Sequence, residues 1–219
     1  MPVETKRTVR SVAEPETRRL ASGDTTGHDV WLVRHGETEW ARLGRHTGRT
    51  DIPLTDRGRD QARALGGRLA GRDFDLVLTS PLSRASETAD IAGFNAVARP
   101  DPDLLEWDYG ALEGRLTADI RVDHPGWTIW RGPWPDGETI DDVAARADRV
   151  VTRARAAAGD VLVFAHGHLL RVVAARWLGL APTAGGLFAL GTATVSVLGW
   201  ERETAVIETW NESDHLTSR

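Results

Sequence analysis

A chain of 219 residues, 41% hydrophobic and 27% charged, holds enough apolar material for one full core and too little for a second domain of comparable size. Its formal net charge of −5 gives no general attraction for nucleic acid, and the absence of cysteine excludes disulfides, thiol nucleophiles and Cys-ligated metal. Of its 27 basic residues all but Lys6 are Arg, a skew that carries no functional weight by itself.

Met1–His28 scatters Lys6, Arg7, Arg10, Arg18 and Arg19 among Glu, Thr and Ser, with no continuous apolar stretch of the kind a secretory signal has. It is expected to be a flexible tail, because it has too little apolar surface to offset the entropy of ordering. No segment approaches the roughly 20 apolar residues of a membrane-spanning helix. The expectation is a soluble, cytoplasmic protein without a membrane partner.

The first buried element is Val30–Val33, V-W-L-V, which runs straight into Arg34, His35 and Gly36. Short apolar runs bounded by Gly and polar residues read as buried strands of a parallel sheet. Glu37–Pro53, rich in Gly, Thr and Arg, is expected to loop over the sheet edge. Thr55 as N-cap and Asp56 at the positive end open a helix with apolar positions Ala62, Leu65 and Leu69 and a stop at Gly71. Phe74–Thr79 reads as a second strand. Ser80-Pro81 then starts a helix with Pro at its first position and Arg84 one turn in, and Asn95–Ala98 reads as a short strand.

From Leu104 to Pro135 the chain carries four of its nine Trp (Trp107, Trp127, Trp130 and Trp134) with Tyr109 and little periodicity beyond a short helix near Thr117–Val122. Residues 104–138 are therefore expected to be an insertion that covers something. Thr139 and Asp142 form a capping signal, after which Ile140, Val143, Ala144, Ala147, Val150, Val151 and Ala154 trace one face of a long helix. Val161–Ala165 repeats the opening pattern and ends on His166-Gly167, followed by a strongly apolar helix. Gly186–Leu190, Thr194–Trp200 and Thr204–Trp210 read as closing strands, the last two joined near Glu201–Arg202. Asn211–Arg219 is expected to fray. The alternation predicts one three-layer α/β/α sandwich over residues 29–210, with a mostly parallel sheet and an antiparallel edge.

Ligands bind open α/β sheets at the carboxyl ends of the strands. Two buried strands therefore bring His35 and His166 to one edge, with Arg34 beside the first and Arg84 on a neighbouring helix. A phosphoryl group in transfer spreads charge over three oxygens, which guanidinium forks match bidentately. Either His35 or His166 can serve as nucleophile through a neutral ring nitrogen, and the Gly after each lets substrate oxygen approach the backbone. Glu106, which opens the Trp-rich segment, is the best-placed acid for the leaving oxygen.

The motifs V-R-H-G-E-T-E-W (Val33–Trp40), T-G-R-T-D-I-P-L-T-D-R-G (Thr47–Gly58), T-S-P-L-S-R-A-S-E-T-A (Thr79–Ala89), L-L-E-W-D-Y-G-A-L-E-G (Leu104–Gly114), P-D-G-E-T (Pro135–Thr139) and A-H-G-H (Ala165–His168) come in the order of a known family. From Val30 to Trp210 the chain resembles the histidine phosphatase superfamily, in its phosphoglycerate mutase-like branch. The resemblance implies that His35 is the phosphorylated residue, that Arg34, Arg84 and His166 hold the phosphate, and that Glu106 donates the proton. It implies no metal and no cofactor.

Two departures bear on the substrate. Many relatives carry Asn six positions after the nucleophilic His; here that position is Ala41, so a phosphate donor is lost or replaced by Thr47, the Gly48 backbone or His46. The paired Arg with which mutases hold a carboxylate is absent, leaving Arg115, Arg121 and Arg131 singly spaced. Glu106-Trp107-x-Tyr109-Gly110, with Trp130-Arg131-Gly132 and F-A-H-G-H, resembles instead the acid phosphatases and the sedoheptulose-bisphosphatase-like enzymes. On a sugar phosphate, Trp107, Trp130 and Trp134 would stack on sugar faces. Arg115, Arg131 or His168 would reach hydroxyls or a second phosphate, and Tyr109, Thr47, Gly48, Gly167 and His46 would complete the substrate contacts. The expected activity is hydrolysis of a small phosphorylated metabolite, a sugar phosphate or bisphosphate. Phosphoglycerate mutase-type transfer is the alternative, and an inactive phospho-ligand binder the remote one. The expected partner is the small molecule alone, and a homodimer is left open.

Overall fold

A computed structural model of the chain describes residues 27–217, so the expected tail lies outside the described residues apart from Gly27 and His28. The strands are β1 (Val30–Arg34), β2 (Leu76–Thr79), β3 (Arg99–Pro100), β4 (Val161–Ala165), β5 (Val195–Glu201) and β6 (Thr204–Glu212). They form one sheet in the order β3-β2-β4-β1-β5-β6, parallel from β3 to β1 and antiparallel through β5 and β6. The helices are α1 (Glu39–Leu43), α2 (Asp56–Leu69), α3 (Ser83–Ile91), α4 (Thr117–Asp123), α5 (Ile140–Arg155) and α6 (Gly167–Trp177). None of the described helices is long and apolar enough to cross a membrane.

The period of two along each strand divides the apolar side chains between two cores. Val30 and Leu32 of β1 join Val161, Val163 and Ala165 of β4 against α5 and α6. Trp31 and Val33, with Leu162 and Phe164, pack against Leu65 and Leu69 of α2 and Ala89 of α3. Helices thus cover both faces of a central sheet, which is the expected three-layer sandwich.

Several local expectations give way, each to a side chain from elsewhere in the chain. Within the expected loop at 37–53 lies α1, because the Thr38 hydroxyl accepts the Ala41 N–H and Gly44, at φ +72°, closes the other end. Helix α3 starts at Ser83 rather than at Pro81, since the Asp51 carboxylate accepts both the backbone N–H and the hydroxyl of Ser83. Asn95–Ala98 forms no strand; β3 is the next pair, Arg99–Pro100.

Gly186–Leu190 is no strand either, because it follows and overlaps a 3-10 helix, Pro182–Leu187, and its carbonyls are claimed by side chains. Arg171 takes those of Gly185 and Gly186, Trp210 that of Ala189, and Arg34 that of Leu190. At the carboxyl end β6 continues through Asn211 to Glu212. A 3-10 turn, Asp214–Leu216, follows it, held by the His215 Nε2 bond to the Ala193 carbonyl at 2.9 Å. The expected fraying therefore does not hold for residues 211–217.

The expected capping box at α5 forms: Thr139 Oγ1 accepts the Asp142 N–H, and the Asp142 carboxylate accepts that of Thr139. Thr139→Ala is expected to cost about 1 kcal/mol of stability. Phe164→Ala, which empties the middle of the α2–α3 core, is expected to cost about 3–5 kcal/mol. Urea denaturation of the two variants beside the wild type checks both values.

Candidate active site

The register of β1 on β4 sets the site. Val33 lies opposite Phe164 and Arg34 opposite Ala165, so one step further His35 and His166 fall on the same face, the α2–α3 side. Their rings are 5.2 Å apart, centroid to centroid. Arg34, of the other parity, turns toward α6, where a side chain on Gly167 would crowd its guanidinium at 3.3 Å.

The two imidazoles are in different states of engagement. His35 Nδ1 is 2.7 Å from the Gly36 carbonyl, which can only accept, so Nδ1 carries the hydrogen and Nε2 keeps its lone pair. Nε2 has no hydrogen-bond partner among the described residues. The orienting carbonyl is itself held, since the Gly36 N–H donates to Thr88 Oγ1 and Gly36 packs so tightly on Gly58 of α2 that a Cβ would collide with its carbonyl. His166 has both nitrogens occupied. Arg84 Nε donates to Nδ1 at 3.2 Å, which leaves the ring hydrogen on Nε2 to donate to Ser80 Oγ at 2.7 Å.

Arg84 is completely buried, and beyond His166 it donates to the carbonyls of Thr47, Gly48 and Thr50. Arg34 donates to the Leu190 carbonyl at 2.6 Å, but its Nε–H is buried without a partner among the described residues. A native fold seldom leaves such a donor without a partner. Glu106 is anchored by three backbone N–H groups: Oε1 accepts from Trp107 and Leu169 at 2.9 Å each, and Oε2 from His168 at 3.0 Å. Two of these belong to the first turn of α6, whose positive end faces the carboxyl.

A cavity of about 170 Å³ opens over these groups, lined by Arg34, His35, Glu106, His46, Thr47, Tyr109, Gly167 and His168 among the expected site residues. Arg84 and His166 do not line it; they lie beneath its floor, their polar atoms engaged with each other, with Ser80 and with the backbone. Gly48 is no open donor, because its N–H is taken by Glu113 at 2.7 Å. Trp107 belongs to the core, with its indole N–H on the Glu138 carbonyl, and Trp134 stacks on it instead of on open space. Trp130 packs edge-on against Trp107 and lies under the Arg171 guanidinium at 4.6 Å. Arg115 pairs with Asp123, and neither it nor Arg131 reaches the cavity.

Ala41 does line the cavity, with a methyl group where a donor was expected. Of the suggested replacements, the Thr47 hydroxyl donates to the Arg45 carbonyl, while His46 uses Nε2 on Thr117 Oγ1 and keeps Nδ1 free among the described residues. The sequence reading missed Arg45, Arg171, Gly44 and Leu190 in the lining. Arg171 had a usable signal: it is the one charge in the apolar run L-L-R-V-V that follows His168.

A sheet whose strand ends bring a free imidazole nitrogen, an orphaned guanidinium donor and an anchored carboxyl into one cavity defines a site for phosphoryl transfer. Residues 30–213 match the histidine phosphatase superfamily (branch 1), and the chain belongs to that family. Over 188 residues it is 43% identical to an acid phosphatase of Mycobacterium tuberculosis, covering 82% of this chain and 92% of that one. It is 36% identical over 184 residues to the sedoheptulose 1,7-bisphosphatase of Saccharomyces cerevisiae, with 68% and 67% covered. A solved structure of an open reading frame product from Mycobacterium tuberculosis superposes with a TM-score of 0.81 at 39% identity, over 85% of this chain and 98% of that one. The protein is a phosphatase of this superfamily, built on the phosphoglycerate mutase-like fold.

Burial, and then the charges of Arg84 and Arg34, hold the His35 imidazole well below the usual histidine range. His166 is lowered for the same reasons, His168 by burial and Arg171, and His46 by burial to about 4. Unfolded, each would titrate near 6.5. Between about pH 6.5 and 4 the unfolded chain therefore binds more protons than the native one, and stability falls as pH falls through that window. His46 alone contributes a slope of at most about 1.4 kcal/mol per pH unit. Denaturant midpoints at pH 7, 6 and 5 check the direction, and His46→Asn is expected to flatten the slope.

Proposed function

We propose that the protein hydrolyses a small phosphorylated metabolite, a sugar phosphate or bisphosphate, through a phosphohistidine on His35 with Glu106 as general acid and base. The observation that carries this reading is the free His35 Nε2 lone pair, with Arg34 and the Glu106 carboxyl lining the same cavity. His35 Nε2 attacks phosphorus while the bond to the leaving oxygen breaks, and Glu106 passes its proton to that oxygen. Water then gives a proton to Glu106 and attacks phosphorus, the N–P bond breaks, and phosphate leaves with His35 restored. Arg34, which lines the cavity, stabilises the equatorial oxygens through its guanidinium, buried Arg84 adds positive charge behind His35, and His166 braces Arg84. No step calls on a metal.

The name of one relative, a sugar bisphosphatase, supports a phosphorylated polyol as substrate. A cavity of about 170 Å³ favours a small one. The lack of cysteine fits a place in the reducing cytoplasm.

His35→Ala is expected to abolish both phosphate release from a panel of sugar phosphates and the acid-labile phosphoenzyme trapped by rapid quenching. Equal slow release by wild type and variant would remove the catalytic reading. Glu106→Gln is expected to lower kcat/KM for alkyl phosphates by about 10²–10⁴ and for p-nitrophenyl phosphate far less, since an aryl oxide leaves without a proton. Equal losses on both would contradict its role as acid. Conversion of 3-phosphoglycerate to the 2-isomer with little free phosphate would favour a mutase instead.

A further inference from the structure

His168, the second residue of α6, faces two ways. Its backbone N–H holds Glu106 Oε2 at 3.0 Å, and its Nδ1 lies 2.6 Å from the Tyr109 hydroxyl. Tyr109 is buried, and its hydroxyl has no other hydrogen-bond partner among the described residues. A buried O–H donates where an acceptor is available. Tyr109 therefore gives its hydrogen to Nδ1, and the ring hydrogen of His168 sits on Nε2. That Nε2–H has no partner among the described residues, while both side chains line the cavity.

The ring has little freedom to turn away. Trp130 lies 5.4 Å from it, Tyr109 stands edge-on at 5.9 Å and His46 is 6.1 Å away. Burial and the Arg171 charge keep the imidazole well below the usual histidine range, and burial keeps the phenol well above the usual tyrosine range. The pair is uncharged at neutral pH and offers a donor without a cation. Of the two further cations of the lining, Arg45 donates Nη1 to the Gly114 carbonyl and Arg171 donates Nε and Nη2 to those of Gly185 and Gly186.

We propose that Tyr109 and His168 form a hydroxyl-reading subsite, in which His168 Nε2–H donates to a hydroxyl oxygen on the alcohol half of the ester, close to the carbon that bears the phosphate. The inference rests on the phosphatase reading and narrows it to esters of polyhydroxylated alcohols. Closeness to the phosphorylated carbon follows from the shared residue, since the backbone of His168 anchors the group that serves the leaving oxygen. Tyr109 is a positioning residue here, acting through the tautomer it imposes on His168.

The test compares kcat/KM of the full chain on sn-glycerol 3-phosphate, on n-propyl phosphate, which lacks the hydroxyls, and on p-nitrophenyl phosphate. The wild type is expected to prefer the glycerol ester by about tenfold or more, the usual effect of leaving a buried donor unpaired. In His168→Ala, which keeps the backbone N–H on Glu106, the preference is expected to fall below about twofold, and in Tyr109→Phe by at least about threefold, whatever the absolute rates. A purely structural role would lower both alkyl esters alike and leave the ratio standing. Equal kcat/KM of the wild type for the two alkyl esters, or an unchanged ratio in both variants, overturns the subsite. Turnover of p-nitrophenyl phosphate separates the failures: where it persists, only the subsite falls, and where no ester releases phosphate the phosphatase reading falls with it.

Discussion

The pairing of β1 with β4 is the constraint on which the site depends. These strands are neighbours in space though about 130 residues apart in the chain, and the His35 N–H donates to the Ala165 carbonyl at 2.9 Å just beyond the last paired residues. A slip of one residue would send the imidazoles to opposite faces of the sheet, because strand side chains alternate with period two. Apolar packing defends the register from both sides, with Leu32 and Val163 in one core and Val33 and Phe164 in the other. The energy that holds the strands in step is thus the energy that brings His35 to His166.

Around that pair the electrostatics are built from buried cations and neutral rings. Two guanidiniums among imidazoles make imidazolium unfavourable, so His35 and His166 stay neutral and His35 Nε2 keeps its lone pair. Backbone carbonyls, rather than carboxylates in contact, satisfy most of the Arg84 donors. The one carboxyl among the residues that line the cavity, Glu106, is anchored by N–H groups instead of by either Arg, so neither Arg34 nor Arg84 is paired with it. Arg34 Nε is one of three buried side-chain donors without a partner among the described residues, beside Trp31 Nε1 and Arg153 Nε, and of the three only Arg34 belongs to the cavity lining.

The segment that brings Leu190 to the cavity owes its shape to side chains that capture carbonyls. Arg171, Trp210 and Arg34 together claim four consecutive or near-consecutive carbonyls between Gly185 and Leu190, and a segment so engaged does not join a sheet. The Trp-rich segment works differently from a simple cover. Trp107 and Tyr109 are core residues whose polar ends are anchored, and Arg146 braces the same stretch through the carbonyls of Asp103 and Leu105 and the Glu138 carboxylate. Rigidity at the base of Glu106 follows, which suits a group that exchanges protons at a fixed oxygen.

The amino-acid sequence by itself determined the strands that end on His35 and His166, the helices α2, α5 and α6, the hairpin of β5 and β6, and the placement of Arg34, His35 and His166 at the strand tips. These are local properties: runs of apolar residues, periods of two and 3.6, and caps such as Thr55 and the Thr139–Asp142 box act within a few residues. The motif order was legible for the same reason. Only the tertiary structure decided that Arg84 and His166 lie beneath the cavity floor, that Trp107 is core, that Gly48 is spent on Glu113, and that Arg45 and Arg171 join the lining. Each depends on a partner tens of residues away, and a side chain's direction and its hydrogen-bond partner are set by packing between elements, which local periodicity does not encode.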